Sequence, residues 1–152
     1  MAEGRKVVAS NRRARHNYEI LDTFEAGMVL KGSEVKSLRA SQVQLKDAYA
    51  TLQDGELWLE NAHIAPYSYA TSGGHDPERK RKLLIRRREI DRLTGKVHEQ
   101  GLTLVPLQIY FVHGLAKIEI ALAKGRHTYD KRRKLVERQQ KREMDRAKSH
   151  RR

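Results

Sequence analysis

The sequence predicts a mainly β protein: a small closed antiparallel barrel of about six strands, with short flanking helices and a basic C-terminal tail. Three observations predict it. Short runs of alternating apolar and polar residues recur between Tyr18 and Ala123, and two pairs of them are joined by the tight turns Asp54-Gly55 and His113-Gly114. Only two segments, about 34–40 and 87–99, carry apolar residues at the three- and four-residue spacing of a helix. A chain of 152 residues has room for one domain with a modest core. Antiparallel strands in so small a body lose their exposed edges most simply by closing on themselves.

Taken in order, Met1 to Ser10 is small and polar and reads as a loose arm. Asn11-Arg12-Arg13-Ala14-Arg15-His16 is a basic cluster leading into the first strand. In that strand Tyr18, Ile20, Phe24 and Ala26 share one face, with Glu19, Thr23 and Glu25 on the other. Gly27 is the expected turn before a second run, Met28-Val29-Leu30, because glycine takes φ > 0 at little cost. Ser33 stands where a helix N-cap is expected, and Glu34 follows where the helix dipole favours an anion. Val35 and Leu38 give that short helix one apolar edge. A hairpin is expected over Ala48–Leu52 and Glu56–Glu60, with Trp58 facing away from Leu57 and Leu59; a lone Trp is expected in the core or as a lid over a barrel end. Ser68 to Pro77, with its Gly73-Gly74 and Asp76-Pro77 pairs, reads as a loop.

After the basic run Arg79-Lys80-Arg81-Lys82 and the apolar Leu83-Leu84-Ile85, a helix is expected from about Arg87 to Glu99, with Ile90, Leu93 and Val97 on one side and Gly101 as its stop. Arg86, Arg87, Arg88 and Arg92 lie on and around its other side. Leu102 to Val112 is a long apolar strand in which Pro106 marks an edge or a bulge. Leu115 to Ala123 alternates, putting Ala116, Ile118, Ile120 and Leu122 inward and Lys117 and Glu119 outward. Pattern alone does not separate one kind of small barrel from another.

The formal net charge of +13 is segregated. Residues 17–77 carry 4 Lys/Arg against 9 Asp/Glu, whereas 124–152 carry 13 against 4. Cations concentrated at the two ends of an ordinary body point to a polyanion, and nucleic acid is the first candidate. The chain has no apolar run near the ~20 residues a membrane span needs and no signal-peptide core. It has no cysteine, which fits a reducing cytoplasm and excludes disulfide and thiol chemistry. It also lacks a GxxxxGK[ST] loop, a GxGxxG loop after a strand, and an HExxH pair. The histidines at 16, 63, 75, 98, 113, 127 and 150 show no metal-ligand spacing, and nothing in the spacing of Glu25, Glu34 and Glu60 supports a two-metal cluster. No cofactor and no catalysis are expected.

The motifs FEAG (24–27), KGSEVKSLR (31–39), DPERKRKLL (76–84) and YDKR (129–132) occur in this order, and the stretch from about Asn11 to Arg133 resembles the SsrA-binding protein family, also called small protein B. The resemblance implies an OB-like barrel that binds the tRNA-like part of transfer-messenger RNA. It also implies an adapter in trans-translation, delivering that RNA to ribosomes stalled on messages without a stop codon. It divides the chain into a basic arm (1–16), an RNA-binding body (17–123) and a tail (124–152). The RNA face it implies uses Asn11, Arg13, Arg15, His16, Glu25, Lys36, Leu84 and Lys117. A carboxylate at 25 would accept from base or ribose donors, or orient a neighbouring Arg. The tail positions are Lys124, Gly125, Arg126, Tyr129, Asp130, Lys131, Arg132 and Arg133, placed in the decoding centre against 16S rRNA. The family commonly has a basic pair after the glycine, and here the second member is His127, mostly neutral at pH 7. The tail is rich in helix formers but too poor in apolar residues to bury a face, so it is expected to be disordered when free and helical on the ribosome. Tyr129, an aromatic amid cations, is a base-stacking candidate. The resemblance further implies elongation factor Tu as a partner through alanyl-tmRNA, and a monomer in the complex. A structural ribosomal protein or an RNA-processing enzyme are the rival classes.

Overall fold

The computed structural model describes residues 5–67, 74–125 and 140–142. Nine strands and three helices are described within residues 5–125: β1 (Lys6–Ser10), α1 (Ala14–Asn17), β2 (Tyr18–Met28), α2 (Gly32–Arg39), β3 (Val43–Gln44), β4 (Tyr49–Gln53), β5 (Glu56–Glu60), β6 (His63–Ile64), β7 (Arg81–Leu84), α3 (Arg87–Gln100), β8 (Thr103–Val112) and β9 (Leu115–Gly125); residues 140–142 are helical and exposed. Six strands close a ring in the order β8-β4-β5-β7-β2-β9 and back to β8, every pairing antiparallel. The expected small antiparallel barrel is therefore the observed fold. Its long seams are local hairpins or long ladders. The ring is completed by two short seams, Ala50↔Leu104 between β4 and β8 and Gly27↔Leu84 with Met28↔Leu83 between β2 and β7. β3 and β6 form a separate two-stranded pair.

The expected hairpins follow from their turns. Asp54 and Gly55 have φ of 53° and 73°, and His113 and Gly114 have 50° and 79°, the paired left-handed conformations whose twist suits a two-residue hairpin. α3 ends where predicted, with Gly101 at φ 62° as its left-handed cap, and buries Ile90 and Leu93. Strand alternation fills the barrel: Leu57, Leu59, Leu83, Ile109, Ile118, Ile120 and Leu122 are almost wholly buried. Trp58, on the opposite face from Leu57 and Leu59, is half-buried on the barrel's outside, with Lys80 Nζ 4.7 Å from its ring centre; it is neither core nor lid.

Three further expectations are corrected, and one alternative is decided. Residues 6–10 are not a loose arm: β1 pairs with β8 from Lys6↔Phe111 to Ser10↔Gln108, buries Val8, and leads into α1. α1 seats Ala14 with Val105, Leu107, Ala121 and Ala123 in a second apolar cluster, against which Tyr18 and Ile20 pack. Gly27 is not a turn. β2 runs through it unbroken, and Gly27 pairs with Lys117 on one side and Leu84 on the other, so the strand changes neighbours there without positive φ. Ser33 is not the N-cap; α2 starts two residues earlier, after Lys31, whose backbone N–H donates to Glu34 Oε1 at 2.8 Å. Pro106 marks a bulge and not an edge, because the register shifts between Pro106 and Gln108 while β8 keeps partners on both sides.

Candidate nucleic-acid interface

The outer face of β2 and β9 carries the residues that alternate with the barrel core. Ala26↔Ile118 and Phe24↔Ile120 face inward, so Glu25, Gly27, Lys117 and Glu119 face out. Beside them the short β2–β7 seam ends, and Leu84, Ile85, Arg86 and Arg88 lead into the first turn of α3. The result is a cleft of about 720 Å³ lined by Glu25, Gly27, Leu84, Arg86, Arg88 and Lys117, among others. A Cβ on Gly27 would lie 3.5 Å from Leu84 Cβ, so the missing side chain is what leaves the floor between Glu25 and Leu84 open. Leu84 is 53% exposed, an apolar surface at the cleft wall for a base or ribose to rest on.

The charges around the cleft are not neutralised internally. Outside the cleft lining, Lys82 pairs with Glu56, Arg87 with Asp91, and Arg92 with Asp22; Arg92 also takes Glu89 at the cleft's margin. Among the described residues Arg86, Arg88 and Lys117 make no ion pair, which leaves three cations facing one cavity. Two lining residues, Glu25 and Glu89, are opposite in sign; Glu89 is taken by Arg92, and Glu25 is held differently. Its carboxylate accepts from the Tyr110 hydroxyl and has Arg5 3.8 Å away, while Glu119 stands directly across the ladder.

A second hollow, of about 320 Å³, lies between the β1–α1 turn and the segment from Val43 to Lys46, and includes Asn11 and Arg13. Asn11 is fastened there: its Nδ2 donates to Leu45 O at 3.3 Å and Pro106 O at 3.1 Å, and its backbone N–H donates to Leu107 O at 2.7 Å. Arg13 and the last-turn residues Arg15 and His16 of α1 are exposed. Lys36 projects from α2 with its Nζ 5.2 Å from the centre of the Tyr67 ring.

A family model described as "SmpB protein" matches residues 8–150. The chain belongs to the SmpB family. Three relatives named SsrA-binding protein are similar along nearly their whole length. The one from Salinispora arenicola (strain CNS-205) is 60% identical over 145 residues, 95% of this chain and 91% of the relative. That from Desulforudis audaxviator (strain MP104C) is 55% identical over 145 residues, 95% of each chain. That from Mycolicibacterium smegmatis (strain ATCC 700084 / mc(2)155) is 58% identical over 139 residues, 91% of this chain and 86% of the relative. A solved chain described as "tmRNA-SmpB: a journey to the center of the bacterial ribosome" superposes with a TM-score of 0.65 at 56% identity, covering 78% of this chain and 84% of that one.

The structure brings three of the face residues that the SmpB resemblance implies, Glu25, Leu84 and Lys117, into one cleft, although 59 and 33 residues of sequence separate consecutive members. Asn11 and Arg13 belong to the second hollow, and Lys36 to α2. Lys124 and Gly125 are the exposed last residues of β9, paired with Glu19 and Tyr18, so the body's sheet runs two residues into the expected tail. Arg126, His127, Tyr129, Asp130, Lys131, Arg132 and Arg133 lie outside the described residues, as do 68–73 of the Ser68–Pro77 loop. Sequence reasoning missed Arg86 and Arg88 as cleft residues, though it placed both near the polar side of α3. It missed Arg5, Gly27 and Tyr110 altogether, because nothing local marks a tyrosine in an apolar strand as the neighbour of a glutamate 85 positions away.

Glu34, the other carboxylate of the conspicuous motifs, has a structural place. It is wholly buried, and its two oxygens accept from Arg79 at 2.6 Å, from the Lys31 N–H, and from Arg81. Arg81 is also wholly buried, and donates further to Ala62 O at 2.8 Å, Pro77 O at 3.0 Å and Asp76 O at 3.3 Å. Burial pushes the Glu34 carboxyl up, but the hydrogen bonds from Arg79, Lys31 and Arg81 outweigh it and leave it below its ordinary value. Ser33 Oγ meets His75 Nδ1 at 2.8 Å, and His75 Nε2 meets Ile64 O at 2.9 Å, so α2, β6 and the segment before β7 are fastened together. Glu25, Glu34 and Glu60 form no cluster: Glu60 accepts from Thr51 on the neighbouring strand.

Proposed function

We propose that this protein binds transfer-messenger RNA and carries it to stalled ribosomes, as an adapter and not as an enzyme. The observation that carries this reading is the cleft: three unpaired cations, an exposed Leu84 and the tethered carboxylate of Glu25 gathered by the barrel of an SmpB-family chain. The cations attract phosphate without regard to sequence, Leu84 offers an apolar wall, and Glu25 accepts only from a base or ribose donor. That combination suits unpaired nucleotides of a folded RNA better than a regular duplex. Asn11, Arg13, Arg15, His16 and Lys36 extend the basic surface around the barrel, toward the same RNA.

In this reading residues 17–123 are the RNA-binding body, replacing a missing anticodon arm, 1–16 an arm that contributes cations, and 124–152 a tail that occupies the empty decoding centre and message channel. Tyr129 is the base-stacking residue of the tail, with Lys124, Gly125, Arg126, Asp130, Lys131, Arg132 and Arg133 around it; stacking is worth roughly 1–3 kcal/mol, enough to set register among non-specific phosphate contacts. Elongation factor Tu joins through the alanylated RNA, the protein acts as a monomer, and it acts in the cytoplasm, where the lack of cysteine fits.

The test separates body from tail. A chain ending at Gly125 should bind a transcript of the tRNA-like part nearly as tightly as the whole chain, with affinity falling steeply as salt rises, yet support no peptide tagging on stalled ribosomes. Tyr129→Ala in the whole chain should leave RNA binding intact and reduce tagging sharply, and Tyr129→Phe should restore it. Loss of RNA binding on truncation would make the tail the principal anchor and sink this division of labour.

A further inference from the structure

Glu25 is in an unfavourable position unless something holds it. It is a half-exposed side chain on an outward strand face, and Glu119 is its direct partner across the β2–β9 ladder. Like charges so placed repel, and a free glutamate would swing toward solvent. Two residues from other elements prevent this. Tyr110 comes from β8, where it pairs with Lys117 of β9 and Val7 of β1; its side chain is on the outer face of the sheet and yet only 1% exposed. Its hydroxyl donates to Glu25 Oε2. Arg5 covers the Tyr110 ring, its guanidinium carbon 4.0 Å from the ring centre, and places Nη2 3.8 Å from the same Oε2. Burial, and then the hydrogen bond to Glu25, push the Tyr110 hydroxyl well above its ordinary pKa, so it remains a donor at any physiological pH. Both contacts use Oε2. Among the described residues Oε1 has none, and Glu25 lines the cleft.

We propose that Tyr110 and Arg5 are positioning residues for RNA recognition: they hold Glu25 through Oε2, so that Oε1 alone is presented to the cleft as the acceptor for one hydrogen-bond donor of the bound RNA. The proposal rests on the reading of this cleft as an RNA interface. It makes the donor a base N–H, amino or imino, or a ribose 2′-hydroxyl, because a carboxylate cannot accept from a phosphate or a carbonyl. With Oε2 already accepting from Tyr110, a two-point contact such as the N1–H and amino edge of guanine would have to share that oxygen with the hydroxyl, so the single contact at Oε1 is favoured over it. Arg5 has a second part: its charge offsets the repulsion between Glu25 and Glu119 without drawing Lys117 away from phosphate.

The experiment is a binding titration of the full-length protein with a transcript of the tRNA-like part, at several salt concentrations, beside thermal unfolding. Tyr110→Phe keeps the ring under Arg5 and removes only the hydroxyl. It should weaken binding about tenfold with an unchanged salt slope, since no phosphate contact is lost. Glu25→Gln should lose about as much, and the double variant no more than the larger single loss, because both act through one contact. Arg5→Gln, altered from the exposed side, should lose affinity on the wild-type background but not on Glu25→Gln. A purely structural role for Tyr110 or Arg5 predicts instead that their losses persist when residue 25 is Gln. To distinguish the donors, transcripts with single 2′-deoxy substitutions, or with inosine replacing guanosine, are titrated against wild type and Glu25→Gln; the substitution that removes the donor costs wild type about tenfold and the variant nothing. Wild-type affinity in Tyr110→Phe, or losses that add in the double variant, would overturn the proposal. If Gly27→Leu, which fills the cleft, also binds normally, the fault lies in the reading of the cleft and not in the positioning of Glu25.

Discussion

Glu25 and Glu34 stand nine residues apart in the two most conspicuous motifs of the chain, and the fold uses them in opposite ways. Glu34 is at the barrel's end, dry, with every oxygen committed to Arg79, Arg81 or the Lys31 N–H. Glu25 is on the barrel's side, wet, with one oxygen committed and one open to a cleft of unpaired cations. A buried ion pair contributes little net stability against an apolar replacement but is costly to break on one side, because the remaining charge is stranded. An exposed, tethered carboxylate costs the fold little to lose, and its value lies in what it accepts. Charge in the first place specifies the architecture; in the second it specifies a ligand.

The largest effect expected is at the buried node. Arg81→Met should cost about 3–5 kcal/mol of folding stability by leaving Glu34 half-paired in an apolar surround, measured by urea or thermal unfolding, with RNA affinity per folded molecule unchanged. The node also sets an acid limit. A carboxyl held below its ordinary value of 4.5 contributes stability that is complete above that value and is lost as pH falls through the lowered one. Wild type should therefore lose stability in that acid range, and Glu34→Gln should be less stable at neutral pH with a flatter acid profile. Equal acid sensitivity in both would remove Glu34 from the account.

A middle effect is expected at Gly27. The backbone there has no positive φ, and a Cβ makes only an ordinary contact with Leu84, so Gly27→Leu should fold within about 1 kcal/mol of wild type. Its side chain would occupy the cleft and should cost roughly 2 kcal/mol or more of RNA binding, about thirtyfold. Unfolding in parallel with the binding loss would erase the distinction between the two regions.

The smallest effect is a matter of slope. Arg88→Ala should weaken binding a few-fold and lower the salt dependence by about 0.7–0.9, the share of one phosphate contact. Arg87→Ala, one residue away but paired with Asp91 and outside the cleft lining, should leave that slope as it is.

Much of the barrel was legible in the sequence, and the reason is locality. Turn chemistry at Asp54-Gly55 and His113-Gly114, two-residue alternation in β5 and β9, and the spacing of Ile90 and Leu93 before Gly101 are each decided by dihedral preferences and side-chain period within a few residues. The family resemblance named Glu25, Leu84 and Lys117, which the fold gathers into one cleft. The same local reading failed at Gly27, where a glycine that looks like a turn is a strand residue changing partners, and at residues 6–10, where a polar-looking arm pairs Val7 and Ala9 with β8 and buries Val8 between them.

Only the tertiary structure decided which charges are internal. Within Arg79-Lys80-Arg81-Lys82, four adjacent cations, Arg81 alone is wholly buried, because the strand period turns it toward Glu34, a partner 47 residues earlier. The same holds for the cleft, whose walls come from β2, β7, β9 and the start of α3, and for Tyr110, which reaches Glu25 across 85 residues. Period and turn chemistry can be read one segment at a time. Burial and pairing of charge depend on closing the ring, whose β4–β8 and β2–β7 seams join residues 54 and 57 positions apart at Ala50↔Leu104 and Gly27↔Leu84, and no local preference encodes that meeting.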